Sequence, residues 1–248
     1  MKTLVLTNQK GGVGKSTIAV HAAWFLAERG RVLFIDLDGQ RNATRSLAPH
    51  QGKTSAISLF QGEQAIPAAG LITLAYATTD LPEIEAEGQD ILDTFRANLA
   101  AAAPLYDFCV IDSPPAWCLR TLAGILVADA ILSPISLGDY AVQGSVELLK
   151  AIEGVAQVYE IPRPNFLGLL ANLSESKSPR QRSILEGLHA EHPALMFPGS
   201  LARRDAFEMA VAEAVPPWQM KTKAAKAAAE EMRGVLTVVA NKMEGKQP

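Results

Sequence analysis

Residues 10–17 read Lys10-Gly11-Gly12-Val13-Gly14-Lys15-Ser16-Thr17, and they constrain the fold more than any other stretch of the chain. Glycines let consecutive N–H groups curl around an anion without Cβ clashes. A helix that starts at such a loop adds its unpaired N–H groups and the positive end of its dipole. The flanks supply the context that this requires. Residues 2–8 (KTLVLTN) form a short apolar, β-branched run that suits a buried strand, and residues 18–28 have a helical pattern. The glycines therefore fall at a strand-to-helix turn, which makes the stretch a phosphate-binding loop. In such a loop Lys15 reaches the β- and γ-phosphates, Ser16 ligates Mg²⁺, and Thr17 helps hold the inner phosphate.

Composition narrows the class further. A chain of 248 residues with 48% hydrophobic and 20% charged residues is long enough to bury one large core, so residues 1–248 are expected to form a single α/β domain. The net charge of −3 requires any contact with nucleic acid to come from a local patch. Cys109 and Cys118 are too far apart for a C-x-x-C site and read as reduced packing residues, which fits a cytoplasmic protein. The longest apolar stretch, residues 122–137, is interrupted by Asp129 and Pro134, so no membrane span is expected.

Strand-like and helix-like segments alternate along the chain, the signature of a mostly parallel twisted sheet with helices on both faces. Residues 31–37 (RVLFIDL), 71–75, 106–112 (YDFCVID), 130–135, 166–171 and 194–198 are the expected strands after the first, with helical patterns at 57–60, 91–99 and 141–159. Open α/β sheets bind ligands at the carboxyl ends of their strands, and three aspartates fall there: Asp36, Asp38 and Asp112. Asp112, followed by Ser113-Pro114-Pro115, is placed to hold a Mg²⁺-bound water beside Ser16, and Asp36 is a further candidate metal ligand. Asp38 opens the turn Asp38-Gly39-Gln40-Arg41-Asn42, where an Asx turn and a catalytic role are equally compatible with the residues. Asn172 ends another strand, where either a turn or a contact with a base edge suits an amide.

Lysine at position 10 with Gln9 in place of the usual first glycine resembles the deviant Walker A motif of the ParA/MinD superfamily of P-loop ATPases. The segment from Asp36 to Gln40 resembles that superfamily's D-x-D-P-Q, and Asp112-Ser113-Pro114-Pro115 its D-T-P-P. The resemblance implies an ATP-sandwich homodimer in which Lys10 reaches the partner's nucleotide, Asp38 positions the attacking water, and Asn172 reads adenine. The loop after residues 194–198, with Pro198, would form the other wall of the base pocket. ATP and Mg²⁺ are the implied cofactors. Two positions depart from the pattern, with Gly39 where proline is usual and Arg41 where glycine is usual.

Over nearly its full length the chain looks like a short ParA-type partition ATPase of broad-host-range plasmids, without the N-terminal helix-turn-helix of larger relatives. That resemblance implies non-specific DNA binding by the ATP dimer, release on hydrolysis stimulated by a centromere-binding ParB-type protein, and a nucleoid-associated location. Arg203 and Arg204 lie in the segment that matches the family's DNA-contacting region, with Lys221 and Lys223 in reserve and Lys226 beside them. Lys177, Arg180 and Arg182 form another basic cluster, and for each group taken singly a solvated helix face is the more ordinary reading. The alternative is a MinD-like membrane-positioning ATPase, which needs an amphipathic helix that inserts into lipid. Val235, Leu236, Val238, Val239 and Met243 have mixed spacing without large aromatics, so docking on the core is expected instead.

Overall fold

The structure, a computed structural model, describes residues 1–138, 143–175 and 178–246. Its elements in chain order are β1 (Lys2–Leu6), α1 (Lys15–Ala27), β2 (Val32–Asp36), α2 (Asn42–Ser46), β3 (Gln51–Ser55), β4 (Ile72–Tyr76), α3 (Ile91–Ala102), β5 (Phe108–Asp112), α4 (Leu119–Leu126), β6 (Ala130–Ser136), α5 (Gln143–Val158), β7 (Asn165–Ser174), α6 (Pro179–Glu191), β8 (Met196–Ala202), α7 (Asp205–Glu213) and α8 (Lys223–Met243). One eight-stranded sheet runs in the order β3-β4-β2-β5-β1-β6-β7-β8. Every pairing within it is parallel.

Each central strand is buried on both sides, and side chains alternate between two cores with the period of two that a pleated strand imposes. Leu4, Leu6, Phe34 and Val110 face a front layer that includes Ile18, Phe25, Phe207, Met232 and Leu236. Val5, Leu33, Ile35 and Ile111 face a back layer that includes Phe95, Leu99, Ile125 and Ile152. A fully buried side chain of this kind contributes about 1.5–3 kcal/mol, so continuous apolar strands rather than local propensity fix the layering. Both cysteines are free, and Cys109 is part of the back core.

The front layer is closed by α8. Thr222 caps it by accepting a hydrogen bond from Ala225 N at 3.1 Å. Ala225, Ala228, Met232, Val235, Leu236, Val239 and Met243 are its buried face. Arg233 reaches back to α1's end, with Nη2 2.5 Å from Glu28 Oε1, and its guanidinium lies over the Trp218 ring at 4.6 Å.

The sequence pattern and the structure differ at the sheet edges. The polar residues 51–55 form β3, an edge strand whose mostly accessible side chains carry no apolar alternation. At the other edge β8 does not stop at Pro198 but continues to Ala202. An edge strand tolerates proline because its missing N–H can face away from the neighbour. Residues 57–60 wind as a 3-10 turn rather than an α-helix. The expected start of a helix at residue 141 lies outside the described residues, as does Lys177.

Candidate active site

Strand order assembles the site. Because β5 lies between β1 and β2, the loop after β1 and the carboxylates that end β2 and β5 meet at the carboxyl end of the central strands. Asp36 and Asp112 are register partners on adjacent strands, and Asp112 also pairs with Leu6.

In the loop, Gly14 has a φ of 87°, which favours glycine, and precedes the first turn of α1, where Ile18 N donates to Gly14 O at 3.0 Å. A Cβ on Gly14 would stand 2.2 Å from Asn172 Nδ2. Asn172 is buried behind the loop and donates to Val13 O at 2.7 Å. Through Nδ2 its amide therefore supports the phosphate loop from beneath. Lys15 is buried to 6% exposure, with Nζ folded back onto Lys10 O at 3.3 Å. Burial lowers its pKa from the ordinary lysine value, and the Asp112 and Asp38 charges partly offset this. Lys10 departs in another direction, with Nζ on Ser136 Oγ at 3.1 Å at the end of β6.

The three aspartates divide their work. Asp36 is fully buried, and its oxygens accept from Asp38 N at 3.0 Å and from Thr44 N and Thr44 Oγ1 at 2.7 Å each. Burial raises its pKa to about 6 against those hydrogen bonds. Asp36, the further candidate metal ligand, has Oδ2 taken by both Thr44 donors and Oδ1 by Asp38 N, and through these bonds it organises the turn that carries Asp38. Asp38 accepts from Gln40 N at 3.0 Å, so the Asx turn exists, and the residue also lines the cavity. Asp112 is fully buried, and neither of its oxygens has a hydrogen-bond partner. Burial, and then the Asp36 charge, push its pKa well above the carboxylate range, while Ser16 and Lys15 act in the opposite direction.

That orphaned carboxylate fits a divalent cation. A hard cation takes oxygen ligands, and the Ser16 hydroxyl and the Asp112 carboxylate are the oxygens here that would hold it, directly or through a bound water. Among the described residues no group of three or more His, Cys, Asp or Glu side chains could hold a metal ion.

A cavity of about 800 Å³ opens over the loop. Gly11, Gly12, Gly14 and residues 15–17 form one wall, and Asp38, Gln40, Asn42 and Arg45 face them. The far wall is Leu173 with Glu208, Val211 and Ala212 of α7. Neither Pro198, inside β8, nor Lys10 is among the lining residues. Leu173 has a φ of 57° and Arg41 a φ of 59°, left-handed conformations that cost a non-glycine residue about 1–3 kcal/mol and cluster at functional sites. Residue patterns do not single out Thr44, Arg45 or the α7 wall, because their roles depend on contacts across the fold.

The candidate DNA residues also separate. Arg203 is exposed. Arg204 Nε lies 2.6 Å from Glu231 Oε2 on α8, and Glu231 also accepts from Ala202 N, so Arg204 is a brace between β8 and α8. Lys221, Lys223 and Lys226 are exposed around the start of α8.

Comparisons with known proteins identify the family. Residues 1–162 match the AAA domain family. Protein IncC of Escherichia coli is 34% identical over 253 residues, covering 98% of this chain and 70% of IncC. The chromosome-partitioning ATPase Soj of Thermus thermophilus is 32% identical over 204 residues, covering 79% of each chain. Among solved structures, Cyanothece McdA in an ATP complex aligns over 100% of this chain and 98% of its own, with a TM-score of 0.80 at 21% identity. Cobyrinic acid a,c-diamide synthase from Mycobacterium smegmatis, with an ATP analogue and magnesium, aligns over 98% and 96% with a TM-score of 0.76 at 25% identity. With its phosphate loop, paired strand-end aspartates and near-complete alignment to IncC, the chain belongs to the ParA-type family of plasmid and chromosome partition ATPases.

Proposed function

We propose that this chain is a DNA-partition ATPase that binds Mg-ATP in the cavity over residues 10–17, pairs with a second copy across the nucleotide, and hydrolyses ATP to ADP and phosphate. The observation that carries this reading is Asp112, a fully buried carboxylate with no partner at ordinary hydrogen-bond distance, beside Ser16 and Lys15. Such a group is costly in an empty protein, and its charge is compensated by a bound cation. Ser16 directly, and Asp112 through a bound water, would hold a Mg²⁺ ion that would neutralise charge on the phosphates.

Phosphoryl transfer needs mostly positioning and charge stabilisation. Backbone N–H groups of the loop and the amino end of α1 cradle the phosphates, and Lys15 swings from Lys10 O onto the β- and γ-oxygens. Asp38 orients the attacking water, held in turn by Asp36 and Thr44. Lys10, turned away from its own cavity, serves the partner's nucleotide. Asn172 acts from beneath the loop, and Leu173 with α7 takes the base and ribose side.

The ATP-bridged dimer then binds DNA without sequence preference, and a ParB-type partner stimulates hydrolysis and release. Linkage explains the switch, because a basic surface built from two subunits exists only while ATP joins them. Arg203 and the exposed Lys221 and Lys223 are the candidate phosphate contacts. Against a membrane-positioning role stands α8, whose apolar face is consumed by the front core. Among the described residues no helix is long and apolar enough to cross a membrane. Co-sedimentation with duplex DNA or anionic liposomes, each with Mg-ATP or Mg-ADP, tests the reading: DNA should pellet the protein with ATP alone. ATP-dependent pelleting with liposomes instead of DNA would replace it with the membrane reading.

A further inference from the structure

Gly39 follows Asp38 where the D-x-D-P-Q pattern has proline, and the space that a proline ring would fill is already taken. A Cβ built on Gly39 would stand 2.9 Å from Cγ and 3.4 Å from Cδ of Pro82, and 3.8 Å from Arg120 Nη1. Pro82 belongs to a 3-10 turn, Leu81–Ala86, that is anchored in the back core by the buried Leu81 and Ile84. Glu85 of the same turn grips the start of α4, with Oε1 2.7 Å from Arg120 Nε and Oε2 accepting from Leu119 N at 2.6 Å. Arg120, 8% exposed, completes the circuit by donating through Nη1 to Leu37 O at 3.0 Å. The other side of Leu37 is also fixed, since its N–H donates to Asp112 O at 2.9 Å.

We propose that Arg120 and Pro82 are positioning residues for Asp38, a clamp that replaces from outside the loop the stiffness that a proline at position 39 supplies within it. This rests on the reading of Asp38 as the residue that orients water. The peptide leading into Asp38 is held from β5 on one side and from α4 on the other, and the peptide leaving it packs under the Pro82 ring. Neither residue lines the nucleotide cavity, so the clamp acts on the geometry of attack and leaves the phosphate cradle alone. A displacement of about 1 Å at a reacting group can cost a hundredfold in rate, which sets the scale of the expected effect.

The test is steady-state ATPase at saturating Mg-ATP with non-specific duplex DNA, alongside binding of a fluorescent ATP analogue and a thermal melt for each variant. Arg120→Leu should lower kcat about ten- to a hundredfold with KM and nucleotide affinity within twofold of wild type. Arg120→Lys, which keeps the charge but loses one arm of the fork, should fall between them. Gly39→Pro alone should slow turnover because two rings compete for one space, and Pro82→Ala with Gly39→Pro should recover most of it. An Arg120→Leu enzyme with wild-type kcat, or one that loses nucleotide affinity in step with kcat, overturns the proposal, and so does a double variant no faster than Gly39→Pro. Asp38→Ala separates the two readings. If that variant hydrolyses normally, the water-positioning role fails, whereas a slow Asp38→Ala beside a normal Arg120→Leu removes only the clamp.

Discussion

His21 offers a sharp test of the packing beneath the phosphate loop. It lies on α1 with no exposure, its Nδ1 2.7 Å from Thr17 O and its ring edge-on to Trp24 at 5.2 Å and Phe207 at 5.5 Å. Nε2 has no partner. Burial, opposed by the Thr17 hydrogen bond, lowers the pKa from 6.5 to about 4. Between those values the unfolded chain binds more protons than the folded one, so stability falls as pH falls. The full contribution is present above pH 6.5 and is lost on the way to pH 4, amounting to about 3 kcal/mol at roughly 1.4 kcal/mol per unit. Asp36 acts with the opposite sign, because its pKa is raised from 3.8 to about 6, so its contribution is full below 3.8 and lost as pH rises through 6. Asp112, raised in the same direction, adds to Asp36 against His21 in the wild-type curve, so the difference between proteins is the informative quantity. Urea unfolding of wild type and His21→Gln at half-unit intervals from pH 4 to 8 should give a difference that grows by about 3 kcal/mol toward neutral pH and flattens above 6.5. A difference independent of pH would show that His21 is not held neutral, and the account of this layer would fail.

Other variants probe the site directly. Lys15→Ala should abolish nucleotide binding or hydrolysis, measured by analogue fluorescence and phosphate release, whereas Lys10→Ala should bind one nucleotide and lose ATP-dependent dimerisation in analytical ultracentrifugation. Normal dimerisation by Lys10→Ala would contradict its reach to a partner. Asp38→Ala should bind Mg-ATP and persist as a dimer with turnover at least tenfold slower, and full activity with DNA present would demote it to a turn residue. Arg203→Ala should reduce the salt dependence of DNA binding by about 0.9 per lost phosphate contact, twice over in a symmetric dimer. Arg204→Ala should instead lower stability by about 1 kcal/mol in denaturant titrations while leaving the salt slope unchanged, since its head group is engaged by Glu231. A slope that changes equally in both variants would restore Arg204 to the DNA surface.

The legible parts of this protein are those where function is written in neighbouring residues. Residues 10–17 carry their chemistry within one loop, and Asp36 and Asp112 close apolar runs whose continuity marks central parallel strands. Roles set by distant contacts are less visible. The Thr44 bonds by which Asp36 shapes its turn, the Val13 bond by which Asn172 braces the loop and the Glu231 partner of Arg204 all join residues that are not neighbours in the chain. Polar β3 hides for a related reason, since an edge strand paired on one side needs no apolar alternation.

The way α8 seals the front layer bears on how the protein is made. Phe25 and Leu26, near the start of the chain, share a core with Met232, Leu236 and Val239 near its end, and Glu28 is tied to Arg233. During synthesis, residues emerge at about 5–20 per second, so α1 must wait some ten seconds or more for the helix that covers it. Over that interval a nascent chain displays a phosphate loop beside an uncovered apolar sheet face. Chaperone occupancy should therefore persist until α8 clears the ribosome, and premature termination within α8 should yield an insoluble product rather than a weakly active ATPase.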